Sequence, residues 1–258
     1  MHNILLISQR LKNKNLFKYV SYIFYLIIME DVFEKIRNKL AIEVEKAKEK
    51  YNRKTSKELI EIGKRSEAFK GNDIFVKMNK LYKEVTFDSF SLTTILGYMF
   101  GYSDLIYVPE KDKLYESFRP DQIKRLLIGS EVHNIVEKYA SNLANFRIEQ
   151  KMKLNADGDI IVGKLDLVSK NKDTTYIIDL KTGKINEDFV TYQLGAYAYL
   201  YSISNGDAGK IVGIAINSEK IYKVELPKSR IESIMYDIIA TKDEIKRDLE
   251  AKKVYSFN

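Results

Sequence analysis

Residues 163–181, reading GKLDLV, then a polar connection, then YIIDLKTG, constrain the fold more than any other part of the chain. Tyr176, Ile177, Ile178 and Leu180 make a β-branched and aromatic run that reads as a strand buried on at least one face. The run at 159–168 reads the same way, and the polar residues 169–174 between the two suit a hairpin. Such a hairpin sets Asp166 beside Asp179. Asp179 and Lys181 lie two residues apart, so both leave a strand from the same face. Carboxylates facing each other at the edge of an apolar sheet repel unless a cation lies between them. Hard oxygen donors of this kind suit magnesium or manganese. A DxK triplet alone is ordinary strand-end decoration. The apolar flanks make it a candidate site, as do Gly163 and Gly183, small enough for a backbone or a substrate phosphate to come close.

The rest of the chain supplies helices around this hairpin. Val32, Ile36, Leu40 and Val44 recur at i, i+4 among many charges, which predicts an amphipathic helix over 30–51 with its Lys and Glu residues in solvent. A second helical stretch is expected over 55–83, broken at Gly71-Asn72, and an apolar Ser/Thr-rich segment over 87–102. Pro120 opens a helix that runs through Val132 and Val136 to about residue 143. Strands follow at 147–154, 159–169 and 174–181, then a helix over 188–202, strands at 210–217 and 220–226, and a closing amphipathic helix over 229–252. The expected fold is α/β: a mixed sheet flanked by helices, with an N-terminal helical region laid over it.

Several side chains could complete a site. His133 is one of two histidines and lies on the helix that leads into the sheet, where it could supply a third metal ligand beside the aspartates. Glu137, one turn further along the same face, either orients the imidazole or sits in solvent near a lysine. Glu149, on the strand before the hairpin, either adds a carboxylate or belongs to a solvent-facing Arg/Glu/Lys alternation. Gln193 and Tyr197 are four apart on one helix face, placed either to meet a phosphate or to orient the lysine.

Composition narrows the chemistry. With 43 Lys and Arg against 36 Asp and Glu, the chain carries +7 and favours an anionic partner such as nucleic acid. It has no cysteine, which excludes disulfides, thiolate metal sites and cysteine nucleophiles; the default is an intracellular, cytoplasmic protein. Residues 16–28 are apolar but short for a bilayer span, and are expected to form a packing helix or an extension upstream of a start at Met29. No ATP-binding loop is present, and no membrane partner is expected.

The ordered motifs GSEVH, RIE, GKLDLV, IIDLKTG and QLGAY resemble the RecB-type nucleases of the PD-(D/E)xK superfamily, and within it the CRISPR-associated RecB-like exonucleases and their viral relatives. The resemblance covers roughly residue 87 to the C-terminus. It implies a restriction-endonuclease-like core over 87–258, preceded by a helical region over 29–86 and the apolar extension over 1–28. It also implies metal ligands His133, Asp166, Asp179 and the Leu180 carbonyl, with Glu149 as a further candidate, for Mg2+ or Mn2+. Lys181 becomes the catalytic lysine, and Gln193 with Tyr197 the accessory motif. The implied activity is metal-dependent cleavage of DNA, exonucleolytic on single strands or free ends. The alternatives are a structure-selective endonuclease and a non-catalytic DNA-binding module. Recombination or replication proteins and a homo-oligomer are the partners it suggests. The CRISPR-associated members carry four cysteines that hold an iron-sulfur cluster. This chain has none, so no such cluster can be built, and the closing helix and the 92–99 segment are expected to be held by packing alone.

Overall fold

The computed structural model describes residues 14–65, 76–78, 85–87, 90–102, 120–171, 173–206 and 208–255. Its centre is a six-stranded mixed sheet. β3 (Phe90–Ser91), β5 (Asp159–Asn171), β6 (Thr174–Leu180), β7 (Lys210–Ile216) and β8 (Ile221–Glu225) follow one another across it, and β4 (Arg147–Ala156) pairs with the other edge of β5. All seven residues of β6 are buried, as a continuous apolar run at the middle of a sheet should be. β4 and β5 meet through Asp157-Gly158, both at positive φ (54° and 88°), the two-residue turn whose twist matches antiparallel strands. The strands β5 and β6 extend to Asn171 and from Thr174, so their connection is tighter than the six-residue segment expected.

Two layers of helices cover the sheet. α1 (Lys14–Asn52) and α4 (Pro120–Ser141) lie on one face, where Val32, Ile36, Leu40 and Val44 bury the predicted stripe with Val132, Val136, Ile178 and Leu180. Its charged residues form i, i+4 pairs such as Lys35 with Asp31, as a solvated face should. α3 (Leu92–Met99), α5 (Glu187–Asn205) and α6 (Lys228–Tyr255) lie on the other, around Ile161, Leu165, Ile177 and Leu194. α5 carries the chain between the parallel strands β6 and β7. Its start is set locally: Asn186 Oδ1 accepts the Phe189 N–H at 3.1 Å, and Glu187 and Asp188 occupy the first turn.

Several expectations need revision. α2 (Ser56–Arg65) ends well short of residue 83. Val76–Met78 (β1) instead pairs antiparallel with Val85–Phe87 (β2), the β-branched valines taking strand conformation beyond the Gly71-Asn72 break. The point between residues 28 and 29 falls inside α1, whose Tyr25 ring lies 6.1 Å from that of Tyr176. Packing alone does not hold α6: Lys242 reaches Asp159 at 3.0 Å, Lys246 meets both oxygens of Asp159 at 3.0 Å, and Tyr98 donates to Asp248 at 2.7 Å. At Gly163 the space a side chain would take is filled by α5, since a Cβ there would come within 2.7 Å of Leu200. Among the described residues no helix is long and apolar enough to cross a membrane.

Candidate active site

The site forms where β5 and β6 leave their regular pairing. Their last paired residues at this end are Leu167 and Ile178, so Asp166 and Asp179 occupy the next facing positions. Leu165 packs in the α3/α5/α6 layer and Leu167 in the α1/α4 layer, although residues two apart on a regular strand share a face. The strand therefore turns over at Asp166. Glu149 stands opposite it in register on β4, unpaired and at φ 47°, so both strands break at the same level. Such a break redirects the Asp166 carboxylate, whose Oδ2 accepts the Leu180 N–H at 2.7 Å.

α4 brings His133 to this place. Its Nδ1 lies 3.6 Å from Asp166 Oδ2, close enough for a shared ion and too long for a hydrogen bond. Glu137, one turn on, is buried. Donor atoms of His133, Glu137 and Asp166 all lie within 4.8 Å of one another. Asp179 is outside that compact trio, on the neighbouring strand. Glu149 is exposed and ion-paired with Lys164.

Asp179 is 3% exposed, and its Oδ2 receives no hydrogen bond. Lys181 Nζ sits 2.8 Å from that oxygen as an ion pair. The lysine donates to Gln193 Oε1 at 2.6 Å, and Gln193 Nε2 donates to the Tyr197 hydroxyl at 3.1 Å. Gln193 and Tyr197 are buried with their polar ends spent on each other and on the lysine. A chain of hydrogen bonds thus links Tyr197 through Gln193 to Lys181. Lys181 lies just past the end of β6, and its own N–H is held by the Ile216 carbonyl at 2.8 Å.

The electrostatics of the site are set by acids crowded together in a buried volume. Burial raises Asp179, with Asp166 adding to the effect and Lys181 opposing it. Burial, then Asp166 and Glu149, push Glu137 up to about 7. Burial also works against ionised Asp166, but His133, the Leu180 N–H and Lys181 together outweigh it and hold that carboxyl low. Burial works against a charged His133, and the surrounding carboxylates outweigh it and raise the imidazole. One low and two raised carboxyls in so small a volume is the pattern of acids competing for too little cation. An oxygen without a donor, and three donor atoms spaced to surround one ion, fit a divalent metal held by His133, Glu137 and Asp166 with Asp179 beside them.

Glu137 is the residue that sequence reading underweighted. Its signal was present: it stands one turn from His133 and adjoins the buried Val136, a costly place for an acid without a partner.

No curated protein matches the chain. Two solved structures share a faint likeness. The protein SSO0001 is 16% identical, with a TM-score of 0.42, over 74% of this chain and 87% of its own. A presumed exonuclease from Eubacterium rectale is 14% identical, with a TM-score of 0.33, over 62% and 80% respectively. Both are too distant to carry an inference. The sequence pattern of the PD-(D/E)XK nuclease superfamily, by contrast, matches residues 110–253, a span that holds His133, Asp166, Asp179, Lys181, Gln193 and Tyr197. With its mixed sheet between two helical layers, the chain belongs to the PD-(D/E)XK nuclease superfamily, whose members use divalent metals.

Proposed function

We propose that the protein is a divalent-metal-dependent DNA nuclease, acting as an exonuclease on single-stranded DNA or on DNA ends. The observation that carries the reading is the convergence of His133, Glu137 and Asp166 donor atoms within 4.8 Å of one another, beside a buried Asp179 oxygen that makes an ion pair with Lys181 but receives no hydrogen bond. A decayed, purely structural site would relax such an oxygen into a hydrogen bond or lose the acid altogether. The RecB-type order of the five motifs supports the exonuclease and DNA assignments.

His133, Glu137, Asp166 and Asp179 would hold Mg2+ or Mn2+, with the Leu180 carbonyl as an additional donor and Glu149 outermost. A divalent ion bound there supplies charge neutralisation and Lewis acidity toward a phosphodiester. Leu180 N–H and the strand break aim Asp166 into the site. Gln193 and Tyr197 fix the direction of the Lys181 ammonium, which places one positive charge where the phosphate gains negative charge. The nuclease core runs from about residue 87, with α1 and α2 packed against its α4 side.

The test is a magnesium and manganese titration on end-labelled linear single strands, duplexes and circular single strands. Metal-dependent shortening of linear DNA is expected, with circles resistant because an exonuclease needs an end. Asp179→Asn should abolish cleavage and Lys181→Ala should lower it by about 10²–10³-fold, both with the fold intact by circular dichroism. Any cleavage by Asp179→Asn, or wild-type cleavage by Lys181→Ala, removes the proposed site; cut circles would replace the exonuclease reading with an endonuclease.

A further inference from the structure

A cluster of aromatic side chains stands beside the lysine. Phe100 and Tyr102, at the end of α3, meet Phe189 and Tyr192 of α5, with Phe100 5.4 Å from Phe189 and 5.5 Å from Tyr192, ring centre to ring centre. Tyr102 lies nearly parallel to Phe100, 6.2 Å away with 22° between the planes, and 5.5 Å from Phe189. Phe189 in turn lies 5.8 Å from Lys181 Nζ. The cluster therefore reaches from the catalytic lysine to solvent in one cation-to-ring step and one ring-to-ring step.

Its outermost ring is fixed and bare at once. Tyr102 is 60% exposed, yet its hydroxyl accepts a hydrogen bond from Asn186 Nδ2, and Asn186 itself caps α5 through the Phe189 N–H. An exposed aromatic ring held in place by a cap, a stacked neighbour and a tilted one has already lost the freedom that binding would otherwise cost. Phosphate is the wrong ligand for this face. The α5 N-terminus is already answered by Asn186, Glu187 and Asp188, and the two acids would repel an anion. A neutral, flat, π-faced group is the right one.

We propose that Tyr102, backed by Phe100 and Phe189, is a stacking platform for an unpaired nucleobase, which sets the register of a single strand against Lys181. The inference rests on the nuclease reading and deepens it. Only an unpaired base can extend the stack, so the platform selects a single strand or a frayed end without reading sequence.

The test is binding of the full-length protein in EDTA, at one fixed salt concentration, by fluorescence anisotropy. The probes are a short single-stranded DNA and its abasic counterpart. Wild type should prefer the base-bearing strand. Tyr102→Ala should weaken that strand alone, by roughly fivefold to a hundredfold, and Tyr102→Phe should retain most of the preference. Equal wild-type affinity for the two strands overturns the proposal, as does an equal loss on both in Tyr102→Ala. A loss in Tyr102→Phe as large as in Tyr102→Ala would assign the effect to the Asn186 contact and overturn it as well. Binding without metal is independent of cutting. Base-dependent binding in a protein that never cleaves would sink the nuclease reading alone; cleavage with base-independent binding would sink the platform alone.

Discussion

Among the described residues, the buried Asp159 and Asp179 both meet lysines, and the two contacts are built to opposite ends. At the tip of the β4–β5 hairpin, Lys242 is fully buried, and its ammonium meets Asp159 at 3.0 Å, Asp243 at 2.8 Å and the Ala156 carbonyl at 3.3 Å. Lys246 covers both oxygens of Asp159. Lys242 donates to Asp159 and to the Ala156 carbonyl and is ion-paired with Asp243, and Asp159 is held below its ordinary range by the two lysines against the pull of burial. At the other pair, Lys181 shares its protons with Gln193 while the nearest Asp179 oxygen goes without a donor, and burial pushes that acid up. A buried charge that is satisfied fastens two elements together; one that is left short of partners is available to a ligand.

The comparison breaks most visibly under substitution. Asp179→Asn should abolish cleavage and leave the melting temperature unchanged or raised, because it removes a charge that the fold does not satisfy. Asp159→Ala should do the reverse. It strands Lys242 without its main partner, so about 3–5 kcal/mol of stability should be lost in urea titration, while the fraction still folded cleaves at the wild-type rate. If Asp179→Asn destabilised as much as Asp159→Ala, the distinction between the two pairs would fail.

A finer probe is Gln193→Ala, which frees the lysine without removing it. Cleavage should fall by up to roughly 10²-fold through misplacement of the ammonium, with little change in melting temperature. Loss of the rate with no loss of metal affinity would separate orientation of Lys181 from damage to the metal ligands.

The smallest effect is the dependence on pH. Asp159 has a folded pKa below its ordinary 3.8, so its stabilisation is complete above that value and is lost as pH falls through the lower, folded one. Lys242 is raised above 10.5 by Asp243 and Asp159 despite burial, so its contribution is complete below 10.5 and lost as pH rises through the folded value. Thermal melts should therefore fall off at both extremes, and Asp159→Asn should flatten both arms. An unchanged acid arm would remove Asp159 from the account.

Much of this was legible in the residues, for reasons that differ by element. The apolar run of β6 and the stripe on α1 were readable because burial dictates a local period. The spacing of Asp179 and Lys181, and of Gln193 and Tyr197, placed each pair on one face by local geometry alone. The tie from α6 to the hairpin was harder. Lys242 interrupts the stripe Ile231, Met235, Ile238 and Ile245 at a core position, a sign of a buried partner, but nothing local says that the partner is Asp159, 83 residues earlier. The faces taken by Leu165 and Leu167 were not legible locally. Strict alternation would put both on one face, and the break at Asp166 puts them on two.

By itself, then, the sequence determined most of the strands and helices, the superfamily the motifs point to, and which acids and lysine are candidates for the site, because periodicity and spacing act over a few residues. Only the tertiary structure decided which carboxylate lacks a donor, that Glu137 joins His133 and Asp166, and that Tyr102 is pinned beside Lys181. Those outcomes depend on contacts between elements far apart in the chain, whose hydrogen bonds are allotted only when the layers close on the sheet.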